Sequence, residues 1–335
     1  MALPKSQPAG LSRRKFLSVS GWVPMAALLL LALVPALSPS RATLNLLTQI
    51  IILAVFAMSY DILLGYTGIV SFGHALFFGS GAYLVGLIIK HSEPTLGYLL
   101  LAVLGTLLFA LVISVLIGYL SLRVKDVYYA MITLAFAEFF LIIAQKWRSV
   151  TNGDDGFSFR VPTMLQHRVV YYYLILAFVV VTLVFLRRFI HSPTGRVLIA
   201  IRENEKRAEF LGYDVLKFKL ISTMVAGVVA SLAGVAWALQ QQFISPGVMA
   251  VDKTIDALLM TIIGGTGTLY GAFIGSGLIS LAREYLPELA EIHPVFGHWY
   301  ILFGLLYILI VLFFPGGILG TFRGFPRKRK SQEER

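Results

Sequence analysis

Long apolar runs constrain this chain more than anything else in it. Eight stretches are almost free of charge: 21–37, 44–64, 69–89, 97–120, 127–144, 169–186, 220–239 and 299–314. About 20 apolar residues in a helix cross the hydrocarbon core of a bilayer. Backbone groups in lipid have no water to bond, so each run must be a helix. A ninth segment, 255–283, is interrupted by Gly264-Gly265-Thr266-Gly267 and reads as a broken hairpin that enters and leaves on one side. The pattern predicts an all-α integral membrane protein of eight to ten transmembrane helices, some of them broken by glycine. They occupy residues 21–320, between a basic segment at 1–20 and a basic tail at 321–335.

Composition narrows the chemistry. Only 13% of residues are charged, about half the share in a soluble domain. The absence of cysteine excludes disulfides, iron–sulfur clusters and thiolate zinc sites. The six histidines form no His-x-x-x-His pair, and no Gly-rich loop ends in Gly-Lys-Ser/Thr. No nucleophile, base and acid stand in a catalytic pattern. The chain is therefore expected not to be an enzyme and to bind no metal or nucleotide itself.

The net charge of +11 would suit nucleic acid if it lay on one surface. Instead, Lys and Arg crowd at the N-terminus, at 123–126, at 187–219 and in the tail. The connections 38–43, 90–94 and 242–254 hold one basic residue each, Arg41, Lys90 and Lys253. That is the positive-inside pattern, which places both termini in the cytoplasm and makes the bilayer, not nucleic acid, the partner. Ser12-Arg13-Arg14-Lys15-Phe16-Leu17 resembles a twin-arginine export signal, but spans follow it rather than a polar exported domain. It reads as a positive anchor.

Within the 187–219 loop, Arg202 to Lys219 is the longest strongly charged run between spans. Its mixed signs, with Glu203 and Arg207 four apart, predict a short surface helix. Gly212 stands where a C-cap would sit. Such a helix suits the docking of a soluble partner. Two distant segments also echo each other: Thr67-Gly68, Gly73 and Gly79-Ser80-Gly81, against Thr266-Gly267, Gly271 and Gly275-Ser276-Gly277. Glycine breaks at matching places in two halves point to a translocation path.

Several motifs are similar to those of the branched-chain amino acid permeases of ABC importers. They are Leu64-Gly65-Tyr66-Thr67-Gly68, Ser71-Phe72-Gly73-His74-Ala75, Thr133-Leu134-Ala135-Phe136-Ala137-Glu138 and Gly264 to Gly271. Ala200 to Glu205, followed by Arg207-Ala208-Glu209 and Gly212, resembles the loop by which such permeases grip an ATPase. Phe314 to Gly320 resembles the family's C-terminal stop, with Gly316 where Gln is more usual. The resemblance covers residues from about 45 to 320 and implies the ABC importer permease fold in a bacterial inner membrane. It implies a second homologous permease subunit, two ABC ATPase subunits that bind ATP and Mg, and a periplasmic binding protein. It also implies coupling through Arg202, Glu203, Asn204, Glu205, Arg207, Ala208 and Gly212.

Candidate path residues are Thr67, Gly68, Ser71, His74, Glu138, Thr266 and Gly267. Glu138 lies mid-span, where a carboxylate must find protein or water. His74 and Ser71 stand in the glycine-rich helix, where a structural role competes with contact to solute. Asp61, one turn before Gly65, reads as a cap on the break. The same motifs would fit a permease for urea, short amides or another small polar solute. A self-sufficient secondary transporter or channel would need ion-coupling carboxylates, and Glu138 is the one candidate. A membrane anchor for a redox enzyme would need haem-ligating histidine pairs, which the sequence lacks.

Overall fold

A computed structural model describes residues 28–35, 40–122, 124, 127–288, 299–314 and 316–322. The basic N-terminal segment, most of the first expected span and the tail beyond Phe322 lie outside the described residues. Residues 28–35 form helix α1, in a unit of its own.

Among the other described residues the regular elements are helical apart from one two-stranded ribbon. Helix α2 (Arg41–Asp61) continues as a π-helical turn (Ile62–Thr67) and stops at Gly68, whose φ of +80° is left-handed. Residues 68–73 are not helical, and α3 (His74–Lys90) follows. Helices α4 (Leu96–Ser121) and α5 (Val127–Lys146) come next. The polar connection after α5 folds as α6 (Arg148–Thr151), a 3-10 turn at Gly153–Asp155, β1 (Phe157–Ser158) and α7 (Thr163–Gln166). Helix α8 (Arg168–His191) leads to short helices α9 (Pro193–Glu203) and α10 (Glu205–Phe210). Then come α11 (Val215–Gln241), β2 (Phe243–Ile244), α12 (Val251–Gly264), α13 (Gly271–Glu288), α14 (Trp299–Phe313) and α15 (Gly317–Phe322).

Among the described residues, five helices are long and apolar enough to cross a membrane: α2 with its π-turn, α4, α5, α8 and α11. The interrupted ninth segment is a helical hairpin, α12 and α13, broken between Gly264 and Gly271 as its glycines predict. Helix α11 starts five residues before the apolar run at 220, because Val215 to Lys219 joins the helix rather than the surface loop.

Burial is uneven. Helices α2 and α11 are the most enclosed of the long helices, and α5 is the least. Helix α3 is enclosed too, and it meets α11 backbone to backbone. A Cβ on Gly234 would stand 1.8 Å from the Phe78 carbonyl oxygen, so no larger residue fits. Ser231 Oγ donates to Phe77 O at 2.9 Å in the same contact. Close packing of small residues holds helices together in lipid, where there is no hydrophobic drive between them. The α12–α13 hairpin is clamped at its open end by the two-pronged pairing of Arg283 with Asp256, whose second arm measures 2.8 Å. At the same end, β1 pairs antiparallel with β2, Phe157 opposite Ile244.

Candidate functional site

The charged run folds differently from the single helix its spacing predicts. Helix α9 is capped by Ser192, whose Oγ accepts from Gly195 N at 3.2 Å, with Pro193 in the first turn. It ends at Asn204, which leaves the helical region at φ −161° and caps α10 by accepting from Arg207 N at 2.9 Å. Asn side chains compete in this way with helix continuation. Glu203 and Arg207 therefore stand on two helices, and the intra-helical pairing expected of them does not form. Glu205 pairs instead with Lys219 Nζ at 2.8 Å, tying α10 to α11. Helix α10 closes as predicted at Gly212, φ +86°. Gly212 N donates to Glu209 O and Tyr213 N to Ala208 O, which satisfies the last carbonyls. Asp214 then caps α11, and its hydrogen bonds from Lys217 hold its carboxyl below the usual range.

Ala208 is buried with Ile201 and Val215 beneath the two short helices. Glu203, Asn204, Lys206, Arg207 and Glu209 face outward. So do Phe210, 90% exposed, and Leu211, which the charge pattern did not single out. Charged side chains and a protruding aromatic ring thus share one exposed face.

Arg202 points away from that face. Its guanidinium donates to the carbonyl of Gly65, in the break after α2. There the two glycine breaks meet. Asp61, 1% exposed, accepts from Gly267 N at 2.7 Å. Tyr66 OH donates to Gly267 O at 2.9 Å. A Cβ on Gly65 would fall 2.0 Å from Asp61 Oδ1 and 2.4 Å from Gly267 N, so only glycine permits the junction. Gly68 and Gly267 both have left-handed backbones, φ +80° and +76°. One carboxylate and one guanidinium thus bracket the crossing of two chain segments about two hundred residues apart in sequence.

The remaining candidates take separate positions. Thr67 donates to Ile62 O at 2.8 Å and so accepts from Ser222 of α11 at 2.6 Å. Thr266 is half-buried beside the junction. Ser71 accepts from Gly73 N at 3.2 Å, while Phe72 N finds Thr133 and Ala75 N finds Thr254 at 2.8 Å. These hydroxyls satisfy the start of α3. His74 is fully buried. Ser59 gives its proton to Phe56 O, so His74 Nε2 donates to Ser59 Oγ at 2.8 Å. Its ring packs on Phe56 and Tyr60. Glu138 stands apart on α5, half-buried, with no side-chain hydrogen bond among the described residues. Sequence reasoning undervalued Asp61 and passed over Tyr66. The signal for Asp61 was an acid in an otherwise uncharged run, four residues before a glycine.

The family described as branched-chain amino acid transport system, permease component, matches residues 42–312. The permease protein LivM of the high-affinity branched-chain amino acid transport system of Escherichia coli K12 is 25% identical over 323 residues, 88% of this chain and 74% of that protein. BraD, a permease protein of the same kind from Pseudomonas aeruginosa, is 28% identical over 292 residues, covering 80% and 91%. LivH of Escherichia coli K12, a high-affinity branched-chain amino acid transport system permease protein, is 27% identical over 296 residues, covering 80% of this chain and 91% of that protein. No solved structure matches.

Proposed function

The chain belongs to the branched-chain amino acid transport permease family, and on that premise we propose that it is one permease subunit of an ABC importer for branched-chain amino acids. The observation that carries the reading is Arg202. It links the exposed α9–α10 platform to the point where both glycine breaks cross. On this reading the platform lies in the cytoplasm, with both termini, and seats in a cleft of a partner ATPase. ATP and Mg bind the ATPase pair, not this chain. Closure of that pair shifts the platform, and Arg202 passes the shift to Gly65. The Asp61–Gly267 junction then serves as the cytoplasmic closure of the path, opened in alternation with the far side. A periplasmic binding protein delivers the solute over the 147–168 connection.

Coupling residues on this reading fall into two groups. Glu203, Asn204, Arg207 and the ring of Phe210 face the partner. Glu205, Ala208 and Gly212 hold the platform's shape, and Arg202 joins it to the breaks. Of the path candidates, Gly68, Thr266 and Gly267 lie at the closure, with Thr67 bracing it from within. Ser71 and His74 shape the start of α3.

The test is reconstitution with the co-purified partners. Replacing Glu203 and Arg207 together by alanine should leave membrane expression intact and abolish uptake, while ATP hydrolysis loses its stimulation by the binding protein. Normal uptake by the double variant would sink the coupling assignment.

A further inference from the structure

The C-terminal stop of the chain folds back against the hairpin break. Helix α15 follows α14 after a short turn, in which Gly317 N donates to Phe314 O at 2.8 Å. Its first residue, Gly317, is buried with a left-handed backbone, φ +71°. A Cβ there would overlap Gly265 Cα and N and stand 2.7 Å from Ile262 O. Seen from the hairpin, a Cβ on Gly265 would stand 3.0 Å from Gly316 O and 3.2 Å from Gly320 N. Gly265 has a positive φ too, +117°. Glycine at both places lets two backbones meet with no side chain between them. Helix α15 has six residues. A helix that short is not stable by itself, so it depends on the surface it docks on.

The turn it docks on is stiff. Gly265 O accepts from Thr268 N at 3.2 Å and from Thr268 Oγ1 at 2.5 Å. Gly271 N donates to Thr268 O at 2.7 Å. A Cβ on Gly264 would overlap the Gly271 carbonyl, so the two ends of the turn are pressed together. Gly267, which donates to Asp61, lies in this turn two residues after Gly265. The turn is thus held at Gly267 by the break after α2 and at Gly265 by α15. Close-packed backbones do not slide continuously past one another. The turn and α15 either shift together or part.

We propose that α15 is the brace of the closure. It moves as one body with the tip of the α12–α13 hairpin and sets where Gly267 stands for its bond to Asp61. Gly265 and Gly317 are positioning residues that act through Gly267. The inference deepens the reading of the Asp61–Gly267 junction as the closure of the path and rests on that reading.

The chain has no cysteine, so paired cysteines can carry spin labels without background. In the reconstituted complex, Thr266→Cys with Thr321→Cys spans the brace, and Thr266→Cys with Val70→Cys spans the junction. Thr321 and Val70 are exposed and Thr266 is half-buried. Between the nucleotide-free and ATP-bound states, the 266–70 distance should change and the 266–321 distance should not. A changing 266–321 distance beside a changing 266–70 distance would overturn the brace and leave the closure standing. A fixed 266–70 distance would overturn the closure, and the brace with it. Gly317→Ala gives the second test, because it forces the backbones apart. Gly316→Ala does not, since its Cβ would meet nothing closer than 3.6 Å. In assembled complexes, maleimide should label Thr266→Cys from the platform side roughly tenfold faster with Gly317→Ala. Solute moved per ATP should fall, and Gly316→Ala should match the parent. A purely structural role would lower the yield of complex and leave both readouts unchanged in what survives, which would overturn the brace. Equal effects of the two variants would overturn it as well. Where Gly317→Ala fails to assemble, the spin-label distances decide.

Discussion

Gly65→Ala is an unusually direct test because two physical effects predict opposite signs. In an ordinary helix, alanine is about 0.5–1 kcal/mol better than glycine. At Gly65 the new Cβ would stand 2.4 Å from Gly267 N. Restoring van der Waals distance means parting the two segments by about 1 Å. The 2.7 Å bond from Gly267 N to Asp61 would then exceed hydrogen-bonding distance. A hydrogen bond to a charged group contributes about 1.5–3 kcal/mol, and the Tyr66–Gly267 bond about 1 more. After subtracting the helical gain, the junction weakens by roughly 1.5–3.5 kcal/mol, a shift of roughly ten- to three-hundred-fold between joined and parted states. The assay is the rate at which a water-soluble maleimide, applied from the side of the charged platform, labels Thr266→Cys. In the Gly65→Ala background labelling should accelerate at least about tenfold, with transport turning leaky. An unchanged rate in a folded variant would refute the idea that this junction closes the path.

Arg202→Ala should cut the coupling of ATP hydrolysis to uptake more than Arg202→Lys, measured as solute moved per ATP, because lysine keeps a donor but loses the planar guanidinium. Equal effects would show that a lysine ammonium cannot replace the guanidinium at all, and an unimpaired Arg202→Lys would assign the role to bulk positive charge. Gly234→Ala should cost about 1–3 kcal/mol or more, as overpacking against the Phe78 carbonyl does, read as a lower melting temperature in detergent. Arg283→Ala should leave Asp256, which is 5% exposed, with only Lys253 Nζ at 4.0 Å, at a cost of about 1.5–3 kcal/mol, and the double variant with Asp256→Ala should recover part of it. A double variant no better than the single would show that the pair does not clamp the α12–α13 hairpin.

Much of the architecture was legible in local pattern. The apolar runs located the long helices, and glycine located the breaks after Asp61 and after Gly264, because period and punctuation are local properties. Asn204 was harder. It sits inside a charged run whose spacing suits one helix, and nothing short of its cap on Arg207 N reveals the division. The direction of Arg202 was not legible at all. Its partner, Gly65, is 137 positions away; the charge pattern placed Arg202 on the surface, where it is exposed, but not against Gly65. The meeting of the two breaks is likewise a long-range fact. The echo between them showed that they were alike, not that they touch. Glu138 stands mid-helix in α5, and its being only half-buried follows from how little of α5 the fold covers.

The small ribbon of β1 and β2 has a mechanical consequence. It stitches the connection between α5 and α8 to the one between α11 and α12 by backbone bonds, Phe157 against Ile244. Two short strands are weak by themselves, but these are anchored at Phe157 and Ile244, both nearly buried. Pressure on the first connection is therefore transmitted to the second, and so to the root of the α12–α13 hairpin, seven residues beyond Ile244. The tip of that hairpin is Gly267. A touch at one end of the molecule and the junction at the other are in mechanical series along a single helix.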